Sequence, residues 1–475
     1  MLSSSLRWAM LAALVAWSIY KTIKRSQERR ADSAVGSQHG CLPPPILRTQ
    51  RLFGIDRLEQ IFRANAERRL IELFLFHFRQ TEAMLSSKFE DWSMRLHRDI
   101  TFPMFGDGIF TQEGERWKFS RELLRSQFHF KQYADLVVFR QPLDDLMDSI
   151  PQQGGIVDLQ PLFFRLTLDT TTAFLFGKSV QSLKTPESAG EQTFAESFNI
   201  AQEYVAKRFR LQDLYWLLGG KRFREACRNV HDFADGIIEY SLSFQSRTSK
   251  DDKQYVFLRT LARNTPSRTA LRDQVINVLA AGRDTTACLL SWMFFLLTRH
   301  PNVLAKLRAE INAQSGGKAH LTRGDLRGMN YLQNVLKETL RLYPSVPVNT
   351  RTAVRTTVLP TGGGPDRTAP VLVPKGTTVA YSVYAMHRRP DLYELPLNRT
   401  ETFSKWSYLP FNGGPRTCLG IDFALTEAAY TVVRLIQRFK LIQLPNNMRA
   451  ELIGVEKQTI TLVLASTEGC KVELR

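Results

Sequence analysis

Four stretches of the chain carry a hydrophobic pattern clear enough to predict an element. Gln274–Thr298 (QVINVLAAGRDTTACLLSWMFFLLT) predicts one long buried helix stopped by Pro301. Gly282, Arg283 and Asp284 interrupt its apolar run near the middle. The uncharged part that follows, Thr285–Thr298, is too short for a membrane span. Asn330–Tyr343 (NYLQNVLKETLRLY) predicts a helix with an Asn cap and a stop at Pro344. Ile421–Phe439 places Phe423, Leu425, Ala428, Val432 and Leu435 at helical spacing just after Gly420. The fourth stretch, Trp8–Tyr20 (WAMLAALVAWSIY), is uncharged and apolar. Between Phe78 and Met84 the chain passes from one helical segment (ANAERRLIELFLFHF) to the next, with no alternating strand pattern in FRQTEAML.

The N-terminal run is 13 residues long, against about 20 for a full crossing. Snorkelling by Arg7 and Lys21, with Thr22 and Ile23, closes the difference. A cleaved signal peptide has an apolar core of this length. Lys21, Lys24, Arg25, Arg29 and Arg30 directly downstream instead favour an anchor with the rest of the chain in the cytosol. Residues 1–24 are thus expected as a transmembrane anchor. Residues 25–47 are expected as a basic, Pro-rich linker ending in the stiff Cys41–Ile46 hinge. With no internal repeat and no long low-complexity linker beyond it, residues 48–475 are expected as one catalytic domain. The net charge of +18 suits an anionic membrane surface or an acidic protein partner. No nucleic-acid-binding module stands out. Five widely spaced cysteines without a CxxC argue against a disulfide framework or a zinc site.

The chemistry concentrates in Phe411–Gly420 (FNGGPRTCLG), a glycine-flanked cysteine entering a helix. The spacing F-x-x-G-x-R-x-C-x-G arises by chance on the order of 10⁻⁴ times in a chain of this composition. On these residues alone, Cys418 is as readily a buried structural thiol as a metal ligand. A helix N-terminus behind it would favour a thiolate. Gly413, Gly414 and Gly420 would let the backbone approach a flat group.

The loop resembles the haem-binding loop of the cytochrome P-450 superfamily. That resemblance implies Cys418 as axial ligand of haem b iron, whose thiolate favours O–O cleavage. The resemblance also implies Phe411 and Gly420 as cofactor-binding residues of the loop, with Arg416 pairing with a propionate. Ala281–Thr286 (AGRDTT) resembles the oxygen-activating motif of the distal helix, with Asp284 as acid and Thr285 as relay hydroxyl. Physically, Gly282 would leave room for dioxygen, and the Thr285 hydroxyl would turn back to the helix carbonyls. Glu338 and Arg341, at i, i+3, resemble the buried E-x-x-R pair that organises the cysteine loop. Trp117 and Arg121 resemble the W-x-x-x-R pair at a propionate, and Arg351 the propionate arginine beyond the E-x-x-R helix. His97, His129 and His387 read as ordinary polar histidines.

The resemblance implies a mainly α fold with small β-sheets. It also implies a monooxygenase that inserts one oxygen atom into a C–H bond of a lipophilic substrate. Leu52–Arg57, Gly106–Thr111, Arg121–Leu124 and Leu359–Asp366 resemble the fungal branch that hydroxylates the ends of alkanes and fatty acids. Another lipophilic metabolite or xenobiotic is the alternative substrate class. Phe102–Phe105 and Phe194–Val205 are candidate substrate walls or core. No G-x-G-x-x-G or P-loop occurs, so electrons are expected from NADPH through a membrane-bound flavoprotein reductase, at the endoplasmic reticulum. Two segments depart from the family: the strandless 78–84, and 393–408, where Arg399 alone stands in for an F-x-P-E-R-like arginine. A haem-poor remnant is the reading these gaps would support.

Overall fold

The computed structural model describes residues 4–44, 78–177, 179–184, 189–245, 257–265, 267–315, 320–393, 404–450 and 453–475. Arg399, the Leu52–Arg57 string and all but the last residue of the helix expected before Arg79 lie outside them. The helices that build the argument are α1 (Ser4–Gln38), α2 (Arg95–Phe105), α3 (Gly114–Gln127), α4 (Leu159–Phe176) and α5 (Ala189–Leu211). They continue with α6 (Lys221–Gln245), α7 (Arg268–Arg299), α8 (Asn330–Leu342) and α9 (Ile421–Arg438). Among the described residues, ten short strands make four small sheets, so the fold is mainly α with small β-sheets.

Helix α7 is the spine. Its 32 residues are buried along almost their whole length, because neighbouring elements pack on every side. Thr167 of α4 donates its hydroxyl to the Arg283 carbonyl at 2.6 Å, which brings the two backbones close. Trp292 stacks on Tyr343, just past α8, with ring centroids 4.0 Å apart. The Ser267 hydroxyl caps the helix start by accepting from the Ala270 N–H.

The strands β1 (Trp92–Ser93), β2 (Gly155–Asp158), β3 (Val348–Ala353), β4 (Thr357–Gly363) and β5 (Ala369–Val373) precede β6 (Thr378–Ser382). After α9 come β7 (Ile442–Gln443), β8 (Gln458–Ile460), β9 (Leu464–Ser466) and β10 (Lys471–Leu474). The sheets run β1-β3-β6, β2-β10-β7, β4-β5 and β8-β9. Every pairing among the described residues is antiparallel. The first of them carries Arg351 on β3.

The N-terminal segment differs from its expectation. Among the described residues, no helix is long and apolar enough to cross a membrane, so the spanning anchor expected over residues 1–24 is not shown. Lys21 and Lys24 follow the apolar run too closely. The stretch 25–38, expected as linker, is the second half of α1, since no glycine or proline interrupts it before Gly36. Its end is fastened to the β4–β5 hairpin. The Thr356 hydroxyl donates to Asp32 at 2.5 Å, and the Leu42 N–H to the Pro370 carbonyl at 3.0 Å. Residues 41–44 of the Pro-rich segment therefore lie against the hairpin.

Candidate functional site

The haem-loop candidate is built by a short chain of backbone bonds. Asn412, in the left-handed region at φ 63°, turns the chain after Phe411. The Cys418 N–H then donates to the Phe411 carbonyl at 3.0 Å, closing the loop immediately before α9. The glycines have distinct tasks. Gly414 has φ +67°, and a Cβ there would collide with the Leu85 carbonyl. A Cβ on Gly413 would meet the Trp406 ring. Of the three, only Gly420 has Cys418 Sγ within reach of an added Cβ, at 4.0 Å. The expectation that all three admit a flat group is thereby narrowed to Gly420.

The loop faces a cavity of about 2020 Å³. Ordinary ligand pockets span about 300–1,000 Å³, so this one has room for a large cofactor and a substrate together. Cys418, Asp284, Thr285, Trp117, Arg121, Arg351, Phe411, Arg416 and Gly420 all line it. The Cys418 side chain counts as exposed, yet it is enclosed by protein, because what it opens onto is the cavity. Enclosure decides its chemistry. Burial raises the Cys418 thiol, outweighing the Gly420 N–H and the Arg121 guanidinium that favour the thiolate. The helix N-terminus expected to lower it does not outweigh burial, and coordination to a metal is what would favour the thiolate there.

Three arginines converge on the same cavity. Arg416 donates to the Gln112 carbonyl at 2.8 Å and lies over the Trp117 ring at 4.4 Å. Burial, reinforced by the Arg351 guanidinium, pushes its pKa down to about 9. Arg121 lies one turn along α3 from Trp117, 5.8 Å from the ring centroid. Arg351 is buried on β3 and approaches the Tyr381 ring. Such concentrated positive charge fits a flat dianion such as haem with its two propionates. The thiol, the cavity and the arginines together fit that group.

His97, read from sequence as an ordinary polar histidine, also lines the cavity. Burial first, then Arg351 and Arg416, push its pKa down to about 3, so the ring is neutral. His387 is fully buried and accepts the Leu409 N–H at 2.8 Å, a structural role just ahead of the cysteine loop.

On the other wall, Thr285 donates to the Ala281 carbonyl at 2.7 Å, the back-bond expected from its position. The Ser345 hydroxyl donates to the Thr285 carbonyl at 2.8 Å. The helix itself runs unbroken there. Asp284 is buried and accepts from Arg283 at 2.9 Å and from Gln202. Burial raises its pKa against the pull of both partners. Gly282 has a different task from the one expected: a Cβ there would collide with Thr171 of α4, so its smallness serves helix packing.

Glu338 and Arg341 form the expected pair, with bonds of 2.8 and 2.6 Å, and Arg341 also donates to the His387 carbonyl at 2.8 Å. The pair is less buried than expected, since the Glu338 side chain keeps 55% of its exposure at the rim of α8. Its tie to the cysteine loop passes through His387.

Other expectations shift by a helical turn. Phe194, Phe198, Ala201 and Val205 recur at helical spacing on the buried side of α5, where Phe194 stacks on Phe233 of α6 at 4.0 Å. That stretch is core, apart from Gln202; the cavity wall continues at Ala206 and Phe209. From Phe102–Phe105, only Phe105 reaches the cavity. Sequence reading also missed Asp422 in the first turn of α9. It accepts from Arg323 at 2.7 and 2.6 Å, Arg327 at 2.6 Å and Tyr133 at 2.8 Å, tying the base of the cysteine loop to two distant segments.

Comparison with known proteins gives a consistent picture. The family described as "Cytochrome P450" matches residues 77–462. A "Cytochrome P450" of Arthroderma benhamiae is 42% identical over 500 residues, covering 98% of this chain and 99% of that protein. "Cytochrome P450 52A4" of Candida maltosa is 44% identical over 382 residues, covering 75% of this chain and 71% of the relative. The solved haem domain of cytochrome P450DA superposes with a TM-score of 0.71 at 20% identity, over 92% of this chain and 98% of that one, a likeness of fold. The Arthroderma alignment is longer than the 475-residue chain, so that relative carries internal positions absent here.

Proposed function

The chain belongs to the cytochrome P450 family as a haem-thiolate monooxygenase, resembling its fungal 52A branch, and from that premise we propose that it hydroxylates the terminal carbon of n-alkanes or fatty acids. The observation that carries this reading is one cavity with Cys418 on one wall and Asp284 and Thr285 on another. Cys418 would hold the haem iron, and Arg121, Arg351 and Arg416 its propionates. Haem so bound supplies the activation of dioxygen. The protein's residues do the rest. Phe105, Ala206 and Phe209 give an apolar wall that excludes water and orients a chain-like substrate. Thr285 holds a proton at its Oγ1, and Asp284 replenishes it from the buried side.

The redox partner of the family is read here as a membrane-bound NADPH-dependent flavoprotein reductase, since the sequence has no nucleotide-binding glycine loop of its own. Residence at the cytosolic face of the endoplasmic reticulum is supported by α1. Val15, Trp17, Ile19, Tyr20 and Ile23 are exposed there beside a basic cluster.

The test is turnover with NADPH and a reductase on a panel of alkanes, fatty acids and aromatic compounds. Terminal alcohols from the aliphatic members are the expected product. Carbon monoxide added to the reduced protein should give the thiolate-type Soret shift. Loss of that shift would refute the haem-thiolate site and favour the haem-poor remnant. A full shift with oxidation of the aromatic compounds alone would refute the substrate class.

A further inference from the structure

Asp284 has its hydrogen-bond positions set by two helices. Its Oδ1 accepts from Arg283 Nη1 on the same helix, at 2.9 Å. Its Oδ2 accepts from the Nε2 of Gln202, on α5. The Oε1 of Gln202 in turn accepts from the Thr461 hydroxyl at 3.4 Å, in the turn between β8 and β9. A buried primary amide is costly unless both of its ends are bonded. Here both ends are used, and one of them is spent on the distal acid.

The two bonds to Asp284 differ in kind. Arg283 is charged, is also bonded to Asn199 at 3.3 Å, and lies against the Phe164 and Phe198 rings at 5.2 and 5.1 Å. Gln202 is neutral, and its bond spans two helices, so it depends on where α5 stands relative to α7. It also lies in the cavity wall, beside the apolar surface a substrate would touch. Asp284 and Thr285 share no hydrogen bond, since the Thr285 hydroxyl is turned to Ala281. The orientation of the acid is therefore set by Arg283 on its own helix and, from across the cavity wall, by Gln202.

We propose that Gln202 is the positioning residue of the distal acid, fixing the Asp284 carboxylate through Oδ2 and coupling proton delivery to what fills the cavity against α5. This rests on the reading of Asp284 as the relay acid.

Gln202→Met keeps the length of the side chain and removes the amide. The expected result is wild-type haem content and carbon monoxide spectrum, with KM within about twofold. The kcat should fall about tenfold to a hundredfold, the range of one hydrogen bond to a charged group. The solvent isotope effect should rise, and a larger share of electrons should leave as hydrogen peroxide. Thr461→Val frees the far end of Gln202 without touching Asp284, and should move the same quantities less far. Wild-type kcat, peroxide share and isotope effect in Gln202→Met would overturn the inference. Asp284→Asn separates the two readings. If it keeps wild-type turnover, the relay reading fails and this inference with it. If it loses turnover while Gln202→Met does not, only the role of Gln202 fails.

Discussion

Glu427 sits in the middle of α9, 1% exposed, facing Thr170 of α4 and Thr286 of α7. Neither carboxylate oxygen reaches hydrogen-bonding geometry with a partner. Burial dominates the two hydroxyls that favour its charge, raising its pKa from 4.5 to about 8. The folded protein thus keeps this proton at neutral pH, while the unfolded chain gives it up. Below pH 4.5 both states are protonated, and the stability of the neutral form is fully present. As pH rises from there to about 8, the unfolded state loses its proton first and stability falls. Each pH unit in that window costs ~1.4 kcal/mol, so by pH 7 the wild-type protein gives up ~3 kcal/mol.

Glu427→Gln is neutral at every pH and removes this dependence. The variant should match the wild type near pH 4.5 and exceed it by ~3 kcal/mol at pH 7. On an unfolding entropy of ~2 cal/mol/K per residue, that is a rise of ~3 °C in midpoint for a chain of this length. The assay is thermal and urea unfolding of both proteins at matched haem content, from pH 4.5 to 8.5. Titrations shared by the two proteins cancel in the difference. A difference that stays flat over that range would mean that Glu427 is already ionised in the fold, and the argument from burial would be wrong.

Asp422 gives the opposite sign. Burial alone would raise its carboxyl, but Arg323, Tyr133 and Arg327 together hold it below the usual range. Its contribution is present above the unfolded carboxylate pKa and is lost as pH falls through the lowered folded one. Asp422→Asn should therefore narrow the stability gap between pH 6 and pH 3, as read by urea midpoints. Gly282→Ala should cost about 1–3 kcal/mol through the clash with Thr171. Thr171→Ala in the same chain should recover most of that loss, and a double-mutant cycle showing plain additivity would contradict the clash. Arg416→Ala should release haem more readily by about tenfold or more, measured by transfer to a haem acceptor, because a charge-assisted bond to a propionate is lost. Unchanged release would remove Arg416 from the propionate set.

What the sequence makes legible is chemistry whose partners lie within a turn or a loop. The Thr285 back-bond is a property of residues four apart, and the Glu338–Arg341 pair of residues three apart. The cysteine loop closes between residues seven apart, Phe411 and Cys418. The fold could be read because those motifs fall in order. Contacts between distant segments could not be read. Gln202 sits on α5 with no local signal that its amide meets Asp284. Asp422 is met by Arg323, Arg327 and Tyr133 from elements far up the chain. Glu427 left a partial trace, a carboxylate four residues from Phe423 on the apolar side of α9. Its spacing from Phe423 puts it on the side of the helix that packs inward, but nothing local names the hydroxyls it faces. The choice between wall and core at Phe194–Val205 is open in the sequence for the same reason, since helical periodicity marks an apolar face without saying whether core or cavity lies beyond it.

The two electrostatic oddities of the site have one resolution. Burial makes Cys418 a poor thiolate, and burial likewise strains the charge of Arg416 beside Arg351. Taken separately, the neutral thiol is merely a poor ligand, while the guanidinium, bonded only to the Gln112 carbonyl and stacked on Trp117, is a buried charge without a counter-charge close by. Together they are complementary to a single group, a metal that stabilises the sulfur anion and two carboxylates that balance the guanidinium charges. Ligand binding to the folded state alone adds its free energy to stability by mass action. The residues that look unfavourable are therefore those through which haem would stabilise the fold. Variants at Cys418 and Arg416 should then lose thermal stability chiefly in haem-loaded protein, and much less once haem has been extracted. Equal losses in both would mean that these side chains stabilise the protein by packing.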